Sequence, residues 1–242
     1  MSGKIKIALV GNPNSGKSTV FNALTGLRQK VANFPGVTVE KRTGYSNLKT
    51  DDGEILEAEI IDLPGTYSLY PKSPEEILPF QILCDPNNES HPDLTIVVAD
   101  GTNLKRNLFL CSQILDLKIP VILVINMMDI VIYKKMSIDF EGLSARLGIP
   151  VIPMDGRSGK GLKELKKAIV QPLVSPVKDF IDVREFAPEV VDELRSIVKV
   201  DSNYNAFLGA NNLHIISGFE MQQWKKDKIT FICEKYKFDP QQ

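Results

Sequence analysis

Apolar positions divide the chain into short runs of two kinds. Ile5–Val10, Leu94–Ala99, Pro120–Ile125 and Ile149–Pro153 are compact, mostly apolar stretches, the length of strands buried in a parallel sheet. Thr43–Leu48 and Ile55–Ile61 read as two further strands around the turn Asp51-Asp52-Gly53. Helical stretches alternate with them. Thr19–Leu27 ends near Gly26, and Ser73 with Pro74 marks a helix start. Asn103–Leu117 places Leu104, Leu108, Cys111 and Leu115 on one face. Asp139 caps a helix that stops before Gly148, and Gly161–Val170 carries Lys163, Lys166 and Lys167 on a solvated face. Arg28–Lys41 has no period and holds the turn signal Pro35-Gly36, so it reads as a polar loop. This alternation predicts an α/β fold, a doubly wound and mostly parallel sheet that binds ligands beyond its strand carboxyl ends.

The pattern breaks at Gln171–Pro176. Beyond it, Pro188–Lys199, Ser202–Leu208 and Glu220–Tyr236 read as helices with no strand between them. The division is therefore residues 1–172 as a sheet domain and residues 177–242 as a small all-helical domain. The tail holds no catalytic constellation, and Trp224 reads as core.

Composition narrows the classes. With 29 basic and 30 acidic residues in 242, the net charge of -1 offers no global attraction to nucleic acid or anionic lipid. No run approaches a membrane span, and the N-terminal apolar run is too short for a signal peptide. Cys84, Cys111 and Cys233 are odd in number and widely spaced, as reduced cytosolic thiols are, and His91 and His214 are isolated.

The chemistry sits at strand ends. After Ile5–Val10 comes Gly11-Asn12-Pro13-Asn14-Ser15-Gly16-Lys17-Ser18, which fits G-x-x-x-x-G-K-[ST], and Thr19 then opens a helix. The two glycines let successive N–H groups point inward as an anion nest, and the helix N-terminus adds its positive end. Lys17 is expected on the β and γ phosphates and the Ser18 hydroxyl on Mg²⁺. Gly36, Val37 and Thr38 form a nucleotide sensor, with Thr38 as second Mg²⁺ ligand. Asp62-Leu63-Pro64-Gly65 follows the next strand. Its carboxylate suits Mg²⁺ through water, and the Gly65 N–H suits the γ-phosphate. Asn126-Met127-Met128-Asp129 ends another strand. Asp129 accepts from the guanine N1–H and exocyclic amine, while Asn126 steadies O6/N7 and the loops. Asp155-Gly156-Arg157 follows the last strand. These sites predict a Ras-like P-loop GTPase that binds GTP or GDP.

The stretches GNPNSGKSTVFNALTG, NFPGVTVEK, DLPGTYSLYPKSPEE and NMMD together resemble the cytosolic N-terminal GTPase region of bacterial FeoB-type ferrous iron transporters. The resemblance covers about residues 4–170 strongly and the helical tail weakly. It implies that residues 177–242 act as a nucleotide-dissociation-inhibitor-like domain. It also implies a membrane domain that conducts Fe²⁺ in the full-length protein of the bacterial inner membrane, with this segment in the cytoplasm. The partners it implies are that membrane domain, small Feo accessory proteins and a homo-oligomer, with no nucleic acid. The departure is the fifth motif, where Asp155-Gly156-Arg157 replaces a Ser-Ala-Lys-like turn. There the Gly156 N–H serves guanine O6, and the missing serine hydroxyl predicts a looser loop and faster release.

An RNA-associated GTPase of ribosome assembly or tRNA modification, and a non-hydrolysing nucleotide-dependent adaptor, are the alternatives. Neutral charge and the lack of a basic-aromatic RNA module count against the first. Catalysis raises a further point, because Thr66 stands where Ras-like enzymes carry a water-orienting glutamine, and Arg28 and Arg42 read as surface residues. Asn14 matches GTPases that fix K⁺ as a positive charge, which makes Lys17, Asn14, Thr38 and Gly65 the catalytic set and predicts slow, K⁺-stimulated hydrolysis.

Overall fold

The computed structural model describes residues 3–26, 29–33, 40–185, 188–198, 202–212 and 223–237. Leu27, Arg28, Gly36, Val37, Thr38 and His214 lie outside the described residues. Seven strands form one sheet in the order β2-β3-β4-β1-β5-β6-β7. They are β1 (Gly3–Gly11), β2 (Gln29–Asn33), β3 (Glu40–Lys49), β4 (Ile55–Asp62), β5 (Leu94–Asp100), β6 (Val121–Asn126) and β7 (Val151–Pro153). β1 runs parallel to β4 and β5, and β5, β6 and β7 continue in parallel. β2 and β3 are antiparallel additions at one edge.

Successive side chains of a strand face opposite ways, so each central strand feeds two layers. Ile5, Ile7 and Leu9 of β1 pack with Val20, Phe21 and Leu24 of α1 (Lys17–Thr25) and with Leu165 and Ile169 of α6 (Leu162–Ile169). Ala8 and Val10 face the other layer, against α2 (Pro74–Cys84) and α3 (Leu104–Leu115). Two short helices, α4 (Met128–Tyr133) and α5 (Phe140–Leu147), follow β6. Capping matches the sequence. The Asp139 side chain accepts the Gly142 N–H, and Gly148 closes α5 at φ 69.

The segment Gln29–Asn33 is not loop but strand, paired from Gln29↔Gly44 to Asn33↔Glu40. It shows no hydrophobic period because it is an edge strand whose Val31 is 64% exposed.

The tail supplies α7 (Pro188–Val198), α8 (Asn203–Asn211) and α9 (Gln223–Lys235). Val190, Leu194, Ala206, Ala210, Ile229 and Ile232 form a cluster of their own. Val183, Val191, Tyr204 and Leu208 belong instead to the core beneath α2 and α3. The end of α3 fixes the connection. The buried Asp116 carboxylate accepts the N–H groups of Phe180 and Ile181 at 2.8 and 2.7 Å. Lys118 pairs with Asp179 at 2.6 Å. Trp224 is 48% exposed rather than core; α9 turns it outward, with Lys228 over its ring at 5.7 Å. Among the described residues no helix is long and apolar enough to cross a membrane.

Candidate functional site

The carboxyl ends of β1, β4, β6 and β7 come together around a cavity of about 610 Å³. Asn12, Pro13, Asn14 and Gly16 line it from the β1–α1 loop, Lys17, Ser18 and Thr19 from the first turn of α1, and Gly65 from the segment after β4. Asn126, Met127 and Asp129 contribute from the end of β6, and Asp155, Gly156 and Arg157 from the turn after β7. Gly11 ends β1 and Ser15 is buried inside the loop. Leu63 is the buried residue of the Asp62–Gly65 segment next to Asp62, and the Met128 N–H is tied to the Met154 carbonyl at 3.3 Å.

The first loop is shaped by Gly16, the N-cap of α1, at φ 82. That left-handed backbone favours glycine, and a methyl group there would run into the Asn126 carboxamide. α1 therefore begins at the cavity wall and presents its N-terminus to it.

Lys17 Nζ is ion-paired with Asp62 Oδ1, and the two side chains are only 11% and 6% exposed. Ser18 Oγ lies 3.5 Å from Asp62 Oδ2. Asp62 is delivered by β4, whose register sets it opposite Leu9. An ammonium, a hydroxyl and a carboxylate thus meet beneath the loop. The two oxygen donors are of the hard type that suits Mg²⁺.

Asn126 is the last residue of β6 and is buried. Its Nδ2 donates to the Ser15 carbonyl at 3.1 Å, and its Oδ1 accepts the Gly156 N–H at 2.9 Å. Met127 turns the chain at φ 63 into α4, whose first turn carries the exposed Asp129. The turn after β7 is tightly bonded within itself. The Asp155 carboxylate accepts the Arg157 N–H at 3.0 Å and the Ser158 hydroxyl. The Ser158 hydrogen bond, with the Arg157 and Ser158 N–H groups and the Arg157 charge, holds Asp155 below the usual carboxylate range. These bonds lace the turn, and the Gly156 N–H donates to Asn126 Oδ1.

Glu75 and Ile130 also line the cavity and carry no motif. The signal for Glu75 is the Ser73-Pro74 helix start, which brings an acidic first turn to the site. Among the described residues no cluster of three or more His, Cys, Asp or Glu could hold a metal, and the three cysteines are free thiols.

Fold and cavity together define a P-loop GTPase G domain. Residues 5–169 match the family described as ferrous iron transport protein B, and the chain belongs to that family. The Fe(2+) transporter FeoB of Escherichia coli strain K12 is 43% identical over 197 residues, 81% of this chain and 24% of the relative. The chain therefore matches about a quarter of that relative's length. Among solved structures, a mutant S. thermophilus NFeoB bound to GDP superposes with a TM-score of 0.74 at 29% identity, covering 98% of this chain and 92% of that one. The cytosolic domain of T. maritima FeoB in its GMPPNP form gives 0.73 at 30% identity, covering 96% and 98%. This match does not favour the RNA-associated reading.

Proposed function

We propose that the chain binds GTP and hydrolyses it to GDP and phosphate, and that this reaction regulates Fe²⁺ passage through an attached membrane domain. The observation that carries the reading is the Asn126 bridge, which ties the phosphate loop to the base-side turn across one cavity. Loop N–H groups and the start of α1 receive the phosphates, and Lys17 neutralises their charge. The Gly65 N–H meets the γ-phosphate. Asp129 reads the guanine edge, and adenine would leave that carboxylate without donors.

Ser18 and Asp62, with Thr38, would hold Mg²⁺, which supplies Lewis-acid charge to the phosphate oxygens. Asn14 stands exposed in the loop at φ 65, where its side-chain oxygen suits K⁺. We read residues 1–172 as the nucleotide-binding domain and 177–242 as a helical domain that slows nucleotide release. The family points to a setting at the bacterial inner membrane, with this segment on the cytoplasmic side.

The test is titration with fluorescent GDP, competition by GTP and ATP, and phosphate release from GTP. Tight guanine-selective binding with slow turnover is expected. Equal competition by ATP would refute the reading.

A further inference from the structure

We propose that the turn closing α4 is a membrane-contact tip, seated on the anionic phospholipid face of a bilayer; the proposal rests on the reading above that a membrane domain is attached. Residues 132–137 are all exposed. Three of them, Ile132, Tyr133 and Met136, are large and apolar, and Tyr133 is 87% exposed. Lys134 and Lys135 stand between them and are the only charges from Ile130 to Ile138. Neither lysine forms an ion pair among the described residues.

The backbone of this turn is fixed. The Lys135 N–H donates to the Ile132 carbonyl and the Met136 N–H to the Val131 carbonyl, both at 3.0 Å. This paired closure ends a helix on a left-handed residue, a place glycine usually fills. Lys135 fills it at φ 53. A lysine is strained there and a glycine is not, so stability of the fold is a poor account of it. The residue that follows such a closure ordinarily packs back on its helix, yet Met136 stays 42% exposed.

Charge and shape select the occupant. The net charge of the chain is -1, so the attraction is local to this tip. A second copy related by a two-fold axis would bring Lys134 and Lys135 towards their own counterparts, and like charges repel. A groove that takes a helix reads apolar positions over about two turns, and α4 has six residues. An anionic lipid surface needs neither length nor depth. It takes the apolar side chains among its headgroups and sets its phosphates against the ammonium groups. The flanking carboxylates are engaged elsewhere: Asp129 lines the nucleotide cavity, and Asp139 accepts the Gly142 N–H at 2.9 Å. α6 also carries three lysines, but Glu164 lies among them and no large apolar side chain is exposed there. Ile130, two residues before the tip, lines the nucleotide cavity, so a seated tip holds that cavity at the bilayer surface.

The test is sedimentation of the whole chain with vesicles of phosphatidylglycerol and, separately, of phosphatidylcholine. Fluorescent-GDP binding and melting are measured on every variant. Binding to phosphatidylglycerol alone is expected, weakening as salt rises. Lys134→Ala combined with Lys135→Gly should weaken it about 25-fold, at roughly fivefold for each lysine. Tyr133→Ser should weaken it about tenfold. Lys135→Gly by itself should raise the melting temperature by about 1–3 °C as the left-handed strain is relieved. GDP affinity should be unchanged throughout. Equal binding to both lipids, binding to neither, or variants that bind as the parent does would overturn the proposal. So would an equal loss on Lys163→Ala with Lys166→Ala, or an oligomer of the chain that Tyr133→Ser dissolves. Full-length protein recovered outside the membrane fraction would instead sink the reading of an attached membrane domain, and this proposal with it.

Discussion

Asn126 Oδ1 accepts the Gly156 N–H at 2.9 Å, so one side chain at the end of β6 fastens the turn after β7 while its Nδ2 fastens the β1–α1 loop at Ser15. Asn126→Ala leaves the Ser15 carbonyl and the Gly156 N–H without that partner. Each buried loss costs about 1–3 kcal/mol. GDP affinity is expected to fall roughly 10- to 100-fold with the fold retained. Asn126→Asp keeps the Gly156 bond, loses the Ser15 bond and should land no better than alanine, since a carboxylate then faces a carbonyl. A fluorescent-GDP titration reads both, and an unchanged dissociation constant would show the bridge idle.

Asp129 is exposed at the start of α4, on the cavity wall. Asp129→Asn exchanges an acceptor for an amide that can donate to the 2-oxo group of xanthine. The variant should lose guanine affinity by roughly 100-fold or more and gain for xanthosine nucleotides. Equal GDP binding by parent and variant would remove Asp129 as base reader.

Asn14, left-handed and exposed in the loop, tests the cation. Hydrolysis should run faster in K⁺ than in Na⁺ at equal ionic strength, because the smaller ion does not span the same oxygens. Asn14→Ala should keep nucleotide binding and lose the difference between salts. Identical parent rates in the two salts, or a variant still stimulated by K⁺, would count against the site.

Cys111 is buried on α3, and burial pushes its thiol from 9.0 up to about 12. Below pH 9 both folded and unfolded chains hold the proton, so this contribution to stability is complete. As pH rises from 9 towards 12 only the folded chain keeps it, and stability falls by up to about 1.4 kcal/mol per pH unit for this one group. Cys111→Ala should cost about 1 kcal/mol at neutral pH through lost packing. It should also flatten the alkaline slope of urea midpoints by one proton. A slope identical to the parent's would contradict the burial argument.

Leu208 of α8 is fully buried in the core shared with the sheet. Leu208→Ala should lower stability by about 2–5 kcal/mol. If the tail restrains release, it should also quicken GDP dissociation. A destabilised variant with an unchanged off-rate would separate packing from restraint.

The central sheet was legible because β1, β5 and β6 are buried on both faces and so read as apolar runs. The motif loops were legible because glycine and charge occur there at fixed spacing. β2 was not, since an edge strand such as Gln29–Asn33 is stabilised by ladder bonds to β3 that leave no trace in hydrophobic pattern. α4 was hidden by its shortness and by Ile132 and Tyr133, which are 63% and 87% exposed. The bonds within the Asp155–Ser158 turn are equally silent, because they join exposed polar side chains to backbone and leave no period. Trp224 misled because α9 packs through Ile229 and Ile232 and turns the indole outward.

On the phosphate and Mg²⁺ roles proposed above, the Lys17–Asp62 pair makes loading a substitution rather than an addition. Lys17 at the cavity wall is already balanced by Asp62 behind it, so a bare nucleotide that drew Lys17 to its phosphates would leave Asp62 uncompensated in a nearly dry place. A bare divalent cation that drew Asp62 would strand Lys17 in the same way. Arriving together, each repairs the imbalance the other creates. Metal and nucleotide must then raise one another's affinity by the same factor, because linkage between two sites is reciprocal. The size of that factor measures how strongly the empty protein holds the two side chains together.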